Sequence, residues 1–266
     1  MPPKTVKSNL DIGEAIKNRR NELNLTLAEA ASKAGIGIKT WSRYESGESI
    51  RKDKVSGLCR TLKWKALPET ESDESNSEFI KECRKSKVWS PFLQEHFGEL
   101  VALSFVIGSD LLLDQLNEDL SALSEMPRGT HIGEVPASVL SSSLPQQFLM
   151  RYDYEFMWNM RKTLKRYREN APHTEKIIAH SVLDELVLYL VMEESRFLME
   201  EIELDYDSED NDESYIYWKD WAFDIFDDMD IVTFLYSDIF ILTSDDTYHF
   251  DNWFTQQFYI DRTKEN

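Results

Sequence analysis

The stretch Leu25–Gly47, LTLAEAASKAGIGIKTWSRYESG, constrains this chain more than any other. Thr26 is a good N-cap, with a hydroxyl able to accept a backbone N–H of the following turn. Leu27, Ala30, Ala31 and Ala34 then recur at helical spacing and predict a short helix with an apolar face. The small side chains at Ala30 and Ala31 let a second helix approach closely. Gly35 stands just past the helix end, where φ > 0 is usually needed and glycine adopts it at least cost. Gly37 opens a second helix that turns Trp41 and Tyr44 inward and Lys39, Thr40, Ser42 and Arg43 mostly outward. Those outward side chains suit phosphate oxygens and base edges.

Helix, tight turn and helix in this order resemble the Xre/Cro/phage-repressor type of bacterial DNA-binding domain, whose second helix lies in the major groove. The family pattern runs roughly Leu-Thr-Gln-x-x-Leu-Ala, a turn glycine, then Thr-Ile-Ser-Arg-x-Glu-x-Gly. The chain matches it at Leu25, Thr26, Ala31, Gly35, Thr40, Ser42, Arg43, Glu45 and Gly47. The resemblance implies a five-helix, lambda-repressor-like bundle over about residues 11 to 64. It also implies an ion pair between Arg20 in the first helix and Glu45 before the final glycine, which fixes helix packing. By the same resemblance, Thr26, Leu27, Gly37, Ile38, Lys39, Thr40, Ser42 and Arg43 face DNA, with Lys39 and Arg43 foremost. Arg51, Lys52 and Lys54, in the loop after Gly47, would reach the sugar-phosphate backbone or form a solvated basic loop. The chain departs from the pattern at three places. Leu27 replaces the usual glutamine, and Ile38 stands where a polar residue is common and would either meet a thymine methyl or pack. Gly57 falls inside the last helix of the bundle, weakening it by about 1 kcal/mol relative to alanine.

The net charge of −19 argues against nucleic acid only if taken whole. Residues 1–65 hold fourteen Lys and Arg against seven Asp and Glu, a charge of +7, so the rest carries −26. A basic head on an acidic body suits a DNA-binding module joined to a domain that faces away from the duplex. The boundaries expected are a head over 1–66, an acidic polar linker over 67–77, and a mainly helical C-terminal oligomerisation and regulatory domain over 78–266. The whole is therefore expected to be all-α. Residues 1–10 read as a frayed polar arm, and Val55, Leu58, Cys59 and Leu62 as the apolar stripe of the head's closing helix.

In the body, Pro91–Phe105 and Ser109–Leu123 carry apolar residues at helical spacing. Pro127, Gly129, Gly133 and Pro136 mark a long loop. Pro145 is expected to start a helix to about Arg168, and Thr174 to cap another reaching about Glu201. Nine acids among residues 200–213 read as a solvated loop. Ile231–Phe240 reads as helix in preference to strand. The aromatic cluster Tyr215, Tyr217, Trp218, Trp221, Phe223 and Phe226 reads either as core or as an interface or ligand groove.

Reactive patterns are sparse. The five histidines have no zinc-like spacing, and His180 with Asp184 reads as an ordinary helix face. Neither a catalytic site nor a metal or cofactor is expected. Cys59 and Cys83, far apart, suggest no disulfide framework. No apolar run approaches a membrane span and the N-terminus lacks a signal peptide, so the cytoplasm is the expected compartment, with no membrane partner. The reading is a sequence-specific double-stranded DNA-binding transcriptional regulator, foremost a repressor. It would act as a homodimer through residues 78–266 on a pseudo-palindromic operator. The alternatives are a regulator whose helical body senses a peptide or protein effector, and an antitoxin that autoregulates its operon.

Overall fold

A computed structural model of the chain describes residues 5–6, 8, 10–64, 67–68, 73–173, 176–205, 217–226, 231–237 and 253–254. The fold is all-α, with one two-residue strand pair among the described residues. Helices α1 (Leu10–Glu22), α2 (Leu27–Lys33), α3 (Ile38–Glu45) and α4 (Lys52–Leu62) build the head. Strand β1 (Thr5–Val6) pairs antiparallel with β2 (Ile50–Arg51), so this part of the arm expected to fray is tied down by ladder hydrogen bonds. Ile12, Ile16, Ala30, Ala31, Trp41, Tyr44, Val55, Leu58, Cys59 and Leu62 close one buried core.

The resemblance implied five helices in the head, and four are present among the described residues up to Trp64. The next, α5 (Asp73–Arg84), starts inside the stretch read as linker and turns Phe79 and Cys83 into a different core. That second core belongs to the body. It is organised by α7 (Glu99–Ser124) and α10 (Val182–Asp205), with α6 (Pro91–Phe97), α8 (Leu140–Ser143), α9 (Tyr154–Asn170) and α11 (Ile231–Leu235) around them.

Helix α7 runs unbroken from the first of the two apolar stretches, Pro91–Phe105, into the second, Ser109–Leu123, with Gly108 between them as a point of contact. A β-carbon at 108 would stand 1.8 Å from the Val191 carbonyl oxygen, so α7 and α10 touch backbone to backbone at that point. The break is Gly98, at φ +93°, between α6 and α7. Two other helix starts lie later than the sequence suggests. Residues Gln146–Arg151 form a 3-10 turn, and α9 begins after Asp153, whose carboxylate accepts from the Phe156 N–H. Thr174 lies outside the described residues, and α10 begins only after Ser181, whose hydroxyl accepts from the Asp184 N–H. Asp184 in turn accepts from the His180 N–H, so this pair is a helix start.

Helix α10 continues to Asp205 through the first acids of the run read as a loop; residues 206–213 lie outside the described residues. In the aromatic cluster Trp218, Trp221 and Phe226 are fully buried, and the Trp221 indole donates to Ser104 at 3.0 Å. Phe223 packs partly buried against the same core. Tyr215 and the Tyr217 side chain lie outside the described residues. Ile231–Leu235 is helical, and residues 238–240 lie outside them too.

Candidate nucleic-acid interface

The first helix of the motif is set by a reciprocal cap. The Glu29 N–H donates to Thr26 Oγ1 at 3.2 Å while the Thr26 N–H and hydroxyl both donate to Glu29 Oε2. These bonds hold the Glu29 carboxyl below its usual range, the backbone bond from Thr26 most strongly. The Thr26 hydroxyl is thereby engaged in the cap. Gly35 then takes φ +60°, and Gly37 serves as N-cap of α3 without a side-chain cap.

Helix α3 is held from beneath. Trp41 is fully buried and its indole donates to Glu45 Oε1 at 2.7 Å. Arg20 donates to both oxygens of Glu45, from Nε at 2.5 Å and Nη2 at 3.1 Å, with both side chains about one-tenth exposed. The expected Arg20–Glu45 pair is therefore a bidentate, nearly buried bridge between α1 and α3. It keeps the Arg20 guanidinium protonated even more firmly than usual, chiefly through its hydrogen bond to Glu45. Tyr44 completes the inner face; burial pushes its phenol up, and its oxygen accepts from the Arg51 N–H.

With Trp41, Tyr44 and Glu45 turned in, the opposite face is open. Gly37, Ile38, Lys39, Ser42 and Arg43 are exposed, and Thr40 is half-buried. Ile38 is 54% exposed and Leu27 37% exposed, so neither packs in the core as an apolar helix face would suggest. Both present methyl groups on the outside of the first turn of their helices. Arg43 lies across the surface and donates to Glu48 from Nε at 2.7 Å.

Arg51 and Lys52, expected in a basic loop, are instead drawn toward the body. Arg51 forms a fork with Asp53 (Nε 2.9 Å, Nη2 2.8 Å) and also donates to Glu118 of α7. Lys52 places its ammonium 3.1 Å from the ring centroid of Phe79 in α5. The reason is that α4 has two packed faces. Val55, Leu58, Cys59 and Leu62 fill the head's core, while Asp53, Lys54 and Ser56 are also buried. Ser56 Oγ donates to Glu194 of α10 at 3.0 Å, and Gln115 of α7 donates to Glu194 at 2.7 Å and to the Asp53 carbonyl at 3.3 Å. Lys54 donates to Glu118, and Arg60 donates to Ser142. Gly57 permits this depth, since a β-carbon there would lie 2.3 Å from the Ala34 carbonyl oxygen.

At the turn of the motif, the body segment Ser138–Val139 lies against Gly35, where a β-carbon would meet Val139 at 2.8 Å. Behind it Asp119, buried and accepting from Ser138 Oγ at 2.9 Å, has its carboxyl pushed up to about 7 by burial. Burial also opposes the charge of Glu118, but Lys54 and Arg51 hold its carboxyl below the usual range. Sequence reasoning missed Asp53, Glu118 and Glu194, and it read Lys54 in a basic loop without placing it against the body. Their signal is tertiary, a charged residue on the core-facing side of a helix, and no local pattern marks it.

No helix among the described residues is long and apolar enough to cross a membrane. Comparison with curated proteins and with solved structures gave no match. Residues 11–68, which cover α1 from its second residue through α4, match the family model of the helix-turn-helix domain, so this part of the chain is a helix-turn-helix domain, consistent with the resemblance to Xre-type regulators.

Proposed function

We propose that the chain is a sequence-specific regulator of transcription that binds double-stranded DNA through α3 and represses by occupying its operator as a homodimer. One observation carries this reading. The residues that the motif aligns with base and phosphate contact, Ile38, Lys39, Ser42 and Arg43, share one exposed face, while Trp41, Tyr44 and Glu45 are locked beneath it. Lys39 and Arg43 supply the base and phosphate contacts, and Ile38 and Leu27 supply methyl contacts to thymine. A single head of this size touches too few bases for useful specificity, so a two-fold arrangement on half-sites about one helical turn apart is expected.

The body supplies the contact between copies. Helix α9 exposes Tyr154 and Trp158, one helical turn apart, and these aromatic rings suit a contact with a second copy. The reading includes no catalysis, metal or cofactor, and places the protein in the cytoplasm.

Selection of bound sites from random duplex DNA at fixed salt, with the mass of the complex recorded, tests the reading. A two-fold symmetric site bound by a dimer is the expected result. Weak binding without a motif, fading steeply with salt, would overturn it.

A second reading, regulation by an effector, is favoured by a cavity of about 290 Å³ between α4 and α10, lined by Ser56, Arg60, Tyr189, Glu193, Arg196 and Tyr236. Its volume suits a small molecule better than a peptide. A ligand that raises the melting temperature and loses that effect in Tyr236→Ala would support it.

A further inference from the structure

A groove of about 820 Å³ runs beside α3, with Thr40, Arg43, Arg51 and Lys54 on the head side and Glu118 and Ala137 on the body side. Its three cations are each met by a carboxylate. Arg43 has Glu48, from the head itself, whereas Arg51 and Lys54 share a carboxylate from the body. Glu118 spans the two, Oε1 accepting from Arg51 Nη2 at 2.5 Å and Oε2 from Lys54 Nζ. Asp53 holds the Arg51 fork from Nε to Nη2 and lies 3.6 Å from Lys54 Nζ, so it orients the guanidinium. Arg51, Lys54 and Asp53 sum to one positive charge, which Glu118 neutralises.

Two donors from one helical turn converge here on two oxygens of one anion, a geometry that suits a phosphodiester equally well. Arg51 is the N-cap of α4 and makes no side-chain cap bond, so the positive end of the helix dipole favours an anion at the same place. We propose that Arg51 and Lys54 form a seat for a backbone phosphodiester of the duplex, and that Glu118 occupies this seat in the DNA-free protein as a built-in competitor. The inference rests on the DNA-binding role proposed above. Duplex and body then compete for the same two cations. Binding requires Glu118 to leave, so DNA affinity and head–body docking oppose each other through one carboxylate. Lys54, read from the sequence as one of the basic residues after the motif, is here held by the body through Glu118.

The test uses the full chain and a 30-base-pair duplex (a length of about three helical turns) carrying the site that the wild-type protein enriches from a random pool. Affinity is measured at fixed salt for wild type, Glu118→Gln, Glu118→Asp, Glu118→Gln/Arg51→Gln and the exposed control Glu125→Gln, with a thermal melt of each. Glu118→Gln is expected to bind on the order of tenfold tighter than wild type. Glu118→Asp, which keeps the body's charge on a side chain too short to span both donors, is expected to show part of the gain. Adding Arg51→Gln should remove the gain, and Glu125→Gln should match wild type.

The proposal is overturned if folded Glu118→Gln and Glu118→Asp bind no tighter than wild type. It is also overturned if the gain persists without Arg51, or if Glu125→Gln reproduces it, since either result would mean general charge repulsion. Wild-type binding that Arg43→Ala weakens, with no response to Glu118, removes only this inference. Failure of every variant to bind or enrich any duplex removes the DNA-binding reading and the inference with it.

Discussion

Helices α3 and α4 are neighbours in one small domain and carry similar residues, yet they use them in opposite ways. Helix α3 turns Lys39, Ser42 and Arg43 to solvent and buries only Trp41 and Tyr44. Helix α4 buries Asp53, Lys54 and Ser56 against the body as well as its apolar stripe against the head. The difference teaches that a polar residue on a helix does not announce an outer face. On α3 the polar groups stay hydrated and available, while on α4 each has a partner that offsets its desolvation. A helix with two packed faces is a structural joint, and a helix with one is free to meet something else.

The largest expected effect breaks the support beneath α3. Arg20→Ala leaves the nearly buried Glu45 carboxylate with only the Trp41 indole, and should cost about 3–5 kcal/mol in chemical denaturation. A loss under about 1 kcal/mol would mean that α3 is held by packing alone.

Next comes Gly57→Ala, where two principles oppose each other. Helix propensity predicts a gain of about 1 kcal/mol. The collision with the Ala34 carbonyl predicts a loss of about 2–3 kcal/mol, and the collision should win because the opposing atom is backbone. A higher melting temperature for the variant would show that α4 is not seated as deeply as described.

The joint should also respond to pH. The Asp119 carboxyl titrates near 7 in the folded chain, well above its usual 3.8, so the folded state binds the proton more tightly than the unfolded one. Stability from this group is therefore full below pH 4 and is lost as pH rises toward 7. Asp119→Asn should flatten that slope and raise stability at neutral pH by about 1–3 kcal/mol, read from melts across this range. A wild-type slope that survives in the variant assigns it to another carboxylate.

The smallest expected effect on stability is at Arg43. It is exposed and paired only with exposed Glu48, so Arg43→Ala should change folding by less than about 0.5 kcal/mol. The same variant should lose about 1–3 kcal/mol of specific DNA affinity. Large effects on both, or none on binding, would erase the contrast between α3 and α4.

The features legible in the sequence were those written within one or two helical turns. Thr26, Gly35, Trp41 and Tyr44 follow from local spacing, while the Arg20–Glu45 pair, 25 residues apart, came from the family resemblance alone. Some helix starts were equally local and were misread. Ser181-x-x-Asp184 is a capping pattern that outranks Thr174, and Asp153 outranks Pro145, because each offers an acceptor to an orphan backbone N–H. The rest had no local signature. Gly57 looks like a weak point until the Ala34 carbonyl oxygen is found 2.3 Å from where a β-carbon would stand, and Gly108 carries no signal until Val191 is opposite it. Glu118 and Glu194 are ordinary acids in an acidic body until tertiary structure brings them to α4. The open face of α3 could be read because nothing among the described residues covers it. The buried face of α4 could not, because its meaning lies some sixty to one hundred and forty residues away.

Glu194 has one more implication. This single carboxylate accepts from Ser56 of the head and from Gln115 and Ser143 of the body. A head excised from this chain would surface a helix made for an interior, and a foreign head without a serine at this place would leave that acid without the Ser56 hydroxyl. The two parts are therefore not interchangeable cartridges. On the proposed reading, a chimera meant to change DNA preference should exchange the outer residues of α3 and leave α4 with the body it was fitted to.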